Sequence, residues 1–282
     1  MDKIGLLYHP KIVAARTVVQ QLSAFLDSNG VASWGCSSWD EAAIRDQSQG
    51  TGLAVSVGGD GTILRVARAV TPMSIPILGV NLGHLGFMTE FSAEEIVARM
   101  PSVLKGEGWV DRRMMLQVEI LRRRSEDSES PSPEPFYALN DAIVGRGGVS
   151  RVVYVEATID GESLTTYKAD GVLVSTATGS TGYSLAAGGP ILFPQSQDIL
   201  VKSVCPHLTM GYALVLPPTA TVELKVRTDH EAMLSIDGQL QFSLDDGDMV
   251  AIRRSPYSAS FMRLRPNGFF YSTLEERLRL RK

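Results

Sequence analysis

Apolar residues over the first hundred positions fall into two alternating rhythms. Ile4–Tyr8 is a short apolar run of the kind a buried strand shows, while Val13–Leu26 spaces its apolar side chains as one face of a helix does. Asn29-Gly30 then supplies a helix stop. Leu53–Val57 predicts a strand, Thr62–Val70 a helix and Ile75–Val80 another strand. Ser92 has the chemistry of an N-cap, with Glu94 and Glu95 in the first turn of a helix expected to reach about Leu104. Strand and helix in alternation predict a doubly wound α/β domain around a parallel sheet.

After Gly106 the rhythm changes. Leu116–Leu121, Ala142–Gly145, Val152–Ile159, Val172–Ser175, Ala213–Leu216, Thr221–Val226 and Met249–Arg253 read as strands, and helical spacing becomes scarce. This half is expected to be an antiparallel, β-sandwich-like domain. Ser125–Pro135, rich in Ser, Glu and Pro, reads as a solvated loop between two strands. Helical spacing returns in Leu274–Arg281, and this tail is expected to pack back on the first domain. The expected division is 1–106 for the α/β domain, 107–260 for the β-rich domain and 261–282 for the returning segment.

Composition narrows the classes. The chain has 282 residues with 44% hydrophobic and 21% charged, ordinary for a packed globular protein. A formal net charge of −4 gives no global basic field for nucleic acid. No apolar run approaches the roughly eighteen residues of a membrane-spanning helix, and the N-terminus reads as a strand instead of a signal peptide. The two cysteines, Cys36 and Cys205, form no CxxC cluster, which fits a reduced, cytoplasmic setting. His9, His84, His207 and His230 lack metal-ligand spacing, and no GxSxG elbow is present.

The candidate chemistry starts where Leu53–Val57 ends. Gly58-Gly59-Asp60-Gly61-Thr62 joins a strand to a helix; glycines let the backbone approach a ligand, and a helix start offers free N–H groups to phosphate oxygens. The spacing is neither GxGxxG nor a Walker loop. Asp60 is the unusual member, because a carboxylate among phosphate-binding amides repels phosphate. It reads either as a helix cap or as a working group, one that accepts a proton from an attacking hydroxyl or touches a phosphate-bound Mg²⁺.

Further stretches carry similar ambiguity. Asn81-Leu82-Gly83-His84-Leu85-Gly86-Phe87 follows the next strand, where carboxyl ends of parallel strands line a crevice; Phe87 either flanks an adenine or packs in the core. Asn140-Asp141 either reads an adenine edge or ribose hydroxyls, or is an ordinary turn. Lys168–Pro190 has the Gly, Ser, Thr and Ala content of a linker, yet the apolar runs VLVS (172–175) and ILF (191–193), both read as strands, disfavour one. Its small residues otherwise make a surface that admits a large ligand, with Tyr183 able to stack and Lys168 and Asp170 setting charge. Ser235-Ile236-Asp237-Gly238-Gln239 reads as a hairpin turn.

Taken together, these stretches resemble the NAD kinase family from the first strand to the tail. GGDGT, NLGHLGF, the Asn-acid pair, ADG with TGSTGYSLAAGGP, and DGQ occur in the family's order. GGDGT alone is shared with lipid kinases, whereas the whole series is specific to NAD kinases. The resemblance implies transfer of the γ-phosphoryl group of ATP (polyphosphate in some members) to the 2′-hydroxyl of the adenosine ribose of NAD, giving NADP. It implies Asp60 as proton acceptor, Gly58, Gly59, Gly61 and Thr62 as the phosphate loop, and Mg²⁺ carried on the ATP phosphates. By the same resemblance Asp60, Gly61, Arg65, Phe87, Asn140, Asp141, Arg151, Lys168, Asp170, Thr181, Gly182, Tyr183, Ser184, Leu185, Ala186 and Gln239 contact NAD. A homodimer or homotetramer is implied, with no nucleic-acid or membrane partner. Two positions depart from the family pattern: Asp141 stands where many members have Glu, and Gly182 where Ala is usual. The alternatives are a lipid kinase, a non-catalytic dinucleotide sensor and a redox enzyme. The polar stretch Thr178–Ser184 speaks against the first, the retained Asp60 against the second, and the missing GxGxxG against the third.

Overall fold

β1 (Lys3–Tyr8), α1 (Val13–Ser28), β2 (Ala32–Ser37), α2 (Glu41–Gln47), β3 (Leu53–Val57), α3 (Asp60–Val70), β4 (Ile77–Asn81), β5 (Phe91–Ser92) and α4 (Ala93–Leu104) follow one another in strict alternation for most of their length. The computed structural model describes residues 1–83, 85–123, 134–148, 152–207 and 210–279. Two units emerge, one of residues 1–112 and 259–282, the other of 113–258.

In the first unit β2, β1, β3 and β4 lie parallel in that order. Alternate residues of the central strands, Ile4 and Leu6, Val55 and Val57, Leu78 and Val80, share one core with Val18, Leu22 and Leu26 of α1 and with Ile96, Met100 and Val103 of α4. From the opposite face α3 comes so close that a Cβ on Gly79 would meet Ile63 at 2.6 Å. The sheet is therefore covered on both sides, as buried parallel strands require. Helix starts follow their caps: the Asp40 carboxylate accepts from Ala43 N at 3.0 Å before α2, and Glu95 reaches back to Ser92 N at 3.0 Å before α4.

The chain enters the second unit within β6 (Trp109–Leu121) and continues through β7 (Phe136–Ala138), β8 (Asp141–Arg146), β9 (Val153–Ile159), β10 (Glu162–Ala169), β11 (Gly171–Ser175) and the single turn α5 (Tyr183–Ala186). It then forms β12 (Ile199–Val204), β13 (Leu214–Leu216), β14 (Val222–Arg227), β15 (Ala232–Ile236), β16 (Leu240–Leu244) and β17 (Met249–Arg263), before α6 (Phe269–Arg279). Two antiparallel sheets result, ordered β10-β9-β14-β17 and β13-β12-β11-β8-β15-β16. Their inner faces meet in one core that includes Val155, Val222 and Leu224 from the first sheet with Val144, Val174 and Leu234 from the second. The far end of β17 belongs to the first unit, where Phe261 pairs with Ile77 of β4 in parallel.

Several local expectations shift. β2 (ASWGCS) and α2 have no sequence forecast, because β2 lacks a continuous apolar run and α2 is too short to show a period. The expected strand at 191–193 is absent; Pro190 and Pro194 flank those residues and offer the ladder no N–H, and pairing resumes at Ile199. The loop read at Ser125–Pro135 lies almost wholly outside the described residues.

Candidate functional site

In the first unit the site begins with the turn from β3 into α3. A Cβ on Gly58 would lie 2.3 Å from Thr62 Oγ1, so only glycine lets the loop fold against that hydroxyl. Thr62 is buried, and among the described residues its hydroxyl has no hydrogen-bond partner. Gly59 and Gly61 are exposed on either side of Asp60, which opens the helix. The Asp60 carboxylate is held by the stretch after β4: Phe87 N donates to Oδ2 at 2.9 Å and Met88 N to Oδ1 at 3.1 Å. A Cβ on Gly86 would meet Asp60 Oδ1 at 2.3 Å. The glycines of both motifs thus serve one device, a carboxylate fixed at a helix start with lone pairs to spare.

That device is braced from behind. Arg263 Nη1 donates to Met88 O at 2.9 Å and lies 3.3 Å from Glu90, while its Nε lies 3.3 Å from Asp111. All three side chains are buried. Glu90 Oε1 also accepts the N–H groups of Leu264 and Arg265, at 2.8 and 2.7 Å. Phe87 is itself 9% exposed, with the Arg277 guanidinium 5.7 Å from its ring. Arg65, farther along α3, rests 5.1 Å from the Trp39 ring; burial and the neighbouring Arg68 push its pKa down. His84 lies outside the described residues.

In the second unit, Asn140 directly precedes β8 and Asp141 opens it, beneath an unforeseen partner. The Asp237 carboxylate accepts from Leu139 N, Asn140 N and Asp141 N at 3.0, 2.7 and 3.2 Å. Asp237 N donates back to Asp141 O at 2.9 Å. Asp237 takes φ 52°, a left-handed conformation that Asp tolerates better than most residues. Burial pushes the Asp141 carboxyl up to about 7, and the charge of Asp237 adds to the rise. Asn140 Oδ1 is buried, with no hydrogen-bond partner among the described residues.

The small-residue stretch packs on this pair. Thr176 N and Ser175 Oγ both donate to Asn140 O, at 2.9 and 3.0 Å, and Thr176 Oγ1 donates to Leu139 O at 2.6 Å. A Cβ on Gly179 would come within 2.2 Å of Asn140 O, and one on Gly182 would sit 3.1 Å from Gly179 O and 3.6 Å from Asn140 Nδ2. Thr181 Oγ1 donates to Thr178 O at 3.1 Å, and Ser184 is buried, its hydroxyl without a partner among the described residues. Tyr183 is 48% exposed, Leu185 is half-buried and Ala186 is exposed.

Beside them lies a cleft of about 280 Å³ whose lining includes Gly145, Arg146, Asp170, Gly171, Tyr183 and Ser235. Asp170 pairs with Arg146 at 3.3 Å. Lys168 stands 5.7 Å from the Tyr154 ring, and Gln239 closes the β15–β16 turn through its N–H to Ile236 O at 2.9 Å. Arg151 lies outside the described residues. The second unit therefore gathers Asn140, Asp141 and residues 175–184 around Asp237, with Asp170 and Tyr183 on the cleft. Sequence reasoning missed Asp237, Arg146 and Arg263. Only Asp237 carried a signal, an acid opening an Asp-Gly turn, and that signal read as a hairpin.

Models of the ATP-NAD kinase N-terminal and C-terminal domains match residues 11–108 and 139–264. An NAD kinase of Dehalococcoides mccartyi is 49% identical over 277 residues, covering 98% of this chain and 96% of its own. One from Chloroflexus aggregans is 39% identical over 282 residues, covering 99% of each chain. Among solved structures, yeast NADH kinase complexed with NADH superposes with a TM-score of 0.87 at 26% identity, covering 99% of this chain and 87% of its own. An NAD kinase from Archaeoglobus fulgidus in complex with ATP gives 0.75 at 25% identity, with 98% of each chain covered.

Proposed function

The chain belongs to the NAD kinase family, and from that premise we propose that Asp60 is the proton acceptor of its reaction. The activity is transfer of the γ-phosphoryl group of ATP to NAD, giving NADP. The 2′-hydroxyl oxygen of the adenosine ribose attacks the γ-phosphorus as the bond to the β-phosphate bridging oxygen breaks. ADP leaves, and the hydroxyl proton passes to Asp60. The observation that carries this role is the pair of backbone N–H groups, from Phe87 and Met88, that orient both oxygens of a carboxylate at the start of α3. Such chemistry depends mostly on positioning and charge neutralisation.

The remaining contacts follow the resemblance and the geometry. Asn140 and Asp141 hold the dinucleotide, with Asp237 fixing their backbone; Thr181–Ala186 line its pocket, and Asp170 and Tyr183 bound the adjoining cleft. Gly61, Arg65, Phe87, Lys168 and Gln239 complete the set, together with Arg151. Among the described residues no group of three or more His, Cys, Asp or Glu lies close enough to hold a metal ion. By the family resemblance Mg²⁺ would be carried on the donor's phosphate oxygens, with Asp60 the nearest carboxylate the phosphate loop offers. When bound it neutralises phosphate charge. Assembly as a homodimer or homotetramer and a cytoplasmic location complete the reading and rest on the family resemblance.

Asp60→Asn tests the central role. An amide nitrogen would face one of the two N–H donors, so thermal unfolding is followed alongside turnover. NADP formation is expected to fall by about 10²-fold or more while the variant still folds and binds NAD, as loss of a general base does. Unimpaired turnover removes Asp60 from the role.

A further inference from the structure

The returning segment of the first unit grips the stretch after β4 with more than Arg263. Arg265 Nε donates to Glu90 O at 3.0 Å, and its Nη2 reaches both carboxylate oxygens of Glu95, at 3.1 and 3.2 Å. The same guanidinium lies 5.8 Å from the Phe91 ring and 4.6 Å from the Phe269 ring. Farther along α6 the Arg277 guanidinium lies 5.5 Å from Phe269 and 5.7 Å from Phe87. Phe91, Arg265, Phe269, Arg277 and Phe87 therefore form one ladder in which rings and cations alternate. Every step falls within the roughly 6 Å over which a cation is drawn to the face of a ring.

The helix is built to hold the last cation in place. Phe269, Thr273 and Arg277 recur every four residues and share one stripe of α6. Arg277 Nε donates to Thr273 Oγ1 at 2.9 Å, and that hydroxyl donates to Phe269 O at 2.7 Å. Arg277 is only 5% exposed. Burying a guanidinium costs free energy that a Met or Leu in the same slot would not. What the cation adds is direction, because its attraction depends on facing the ring. Phe87 is the rung at which direction matters. Its ring meets Arg277 and its N–H donates to Asp60 Oδ2, so a shift of this residue moves the donor that orients the carboxylate.

We propose that Arg277 is a positioning residue for phosphoryl transfer: by fixing the Phe87 side chain at the end of the ladder, it fixes the backbone N–H that aims Asp60. The proposal rests on the reading of Asp60 as proton acceptor and gives the C-terminal helix a part in the reaction.

Arg277→Met fills the slot without a charge. Assayed well below its unfolding midpoint and at saturating ATP and NAD, it should lose about tenfold in kcat, as small misplacements of a reacting group do. KM for ATP should stay within about twofold, since no contact to the donor is removed. Arg277→Lys keeps a cation between the rings and should regain most of the loss. Glu276→Ala, on the exposed side of the same helix, should change neither constant. A double-mutant cycle separates positioning from a general loosening of the fold. If Arg277 acts through Phe87, Arg277→Met should cost little further kcat in a Phe87→Leu background. Equal losses in both backgrounds would overturn the proposal, and so would a Lys variant no more active than the Met variant. Should Arg277→Met fail to fold, Arg277→Gln takes its place in the cycle. Unimpaired turnover in Asp60→Asn would remove the proton acceptor itself, and the cycle would still show whether Arg277 acts on the reaction through Phe87.

Discussion

If Asp141 holds the dinucleotide as proposed, this single carboxyl couples binding to pH. Its pKa is pushed up to about 7, chiefly by burial and further by Asp237, so it changes charge near neutrality. Only the ionised form is acceptor-only and ready to take hydrogen bonds from two ribose hydroxyls. KM for NAD is therefore expected to fall as pH rises through about 7, and Asp141→Asn should flatten that part of the profile. Stability moves the other way. The folded pKa lies above the unfolded value of about 3.9, so between those values the native state binds more protons than the unfolded chain. Stability contributed by this group is full below about pH 4 and declines as pH rises toward 7, and denaturant midpoints across that range measure it. Asp141 and Asn140 were visible in the sequence as a pair. Asp237 was not, because its carboxylate bonds residues 96 to 98 positions upstream, and no local pattern records such a distance.

At the level of elements, legibility followed apolar contrast. β3, with every residue buried, and α1, with buried residues along one stripe, stood out plainly. β10 (ESLTTYKA) and β16 (LQFSL) mix polar and apolar positions on partly exposed faces and did not. β12 is a fully buried run, yet the neighbouring apolar triplet at 191–193 read as the strand in its place. The glycine loops were legible as ligand-approach signals, but their mutual fit was not: Gly86 is required by Asp60, on a different element. Gly86→Ala should accordingly cost more in kcat than in stability, at least tenfold in turnover, with the unfolding midpoint measured on the same preparation. Arg263→Met reaches the same carboxylate from β17. It leaves Glu90 and Asp111 buried without their cation, so a loss of about 3–5 kcal/mol is expected from denaturant unfolding. Loosening of Met88 should lower kcat as well.

For the molecule as a whole, the sequence conveyed two classes of structure and the order of their motifs. Helical spacing in Leu274–Arg281 also led to the expectation that the tail packs back on the first domain; the first unit comprises two separated pieces of chain, 1–112 and 259–282. The second piece brings Arg263, the end of β17 and α6, whose Thr273 and Arg277 are buried. A chain ending at residue 112 should therefore lack cooperative thermal unfolding, and adding residues 259–282 in trans as a peptide should restore part of it.

The same discontinuity sets a schedule for synthesis. Asp60 leaves the ribosome with Gly86 to Met88 close behind, but Arg263, the side chain that steadies their backbone, follows only after the whole of the second unit. A nascent chain thus carries the proposed proton acceptor long before the support that fixes it, and is expected to become competent for phosphoryl transfer only once Arg263 has emerged.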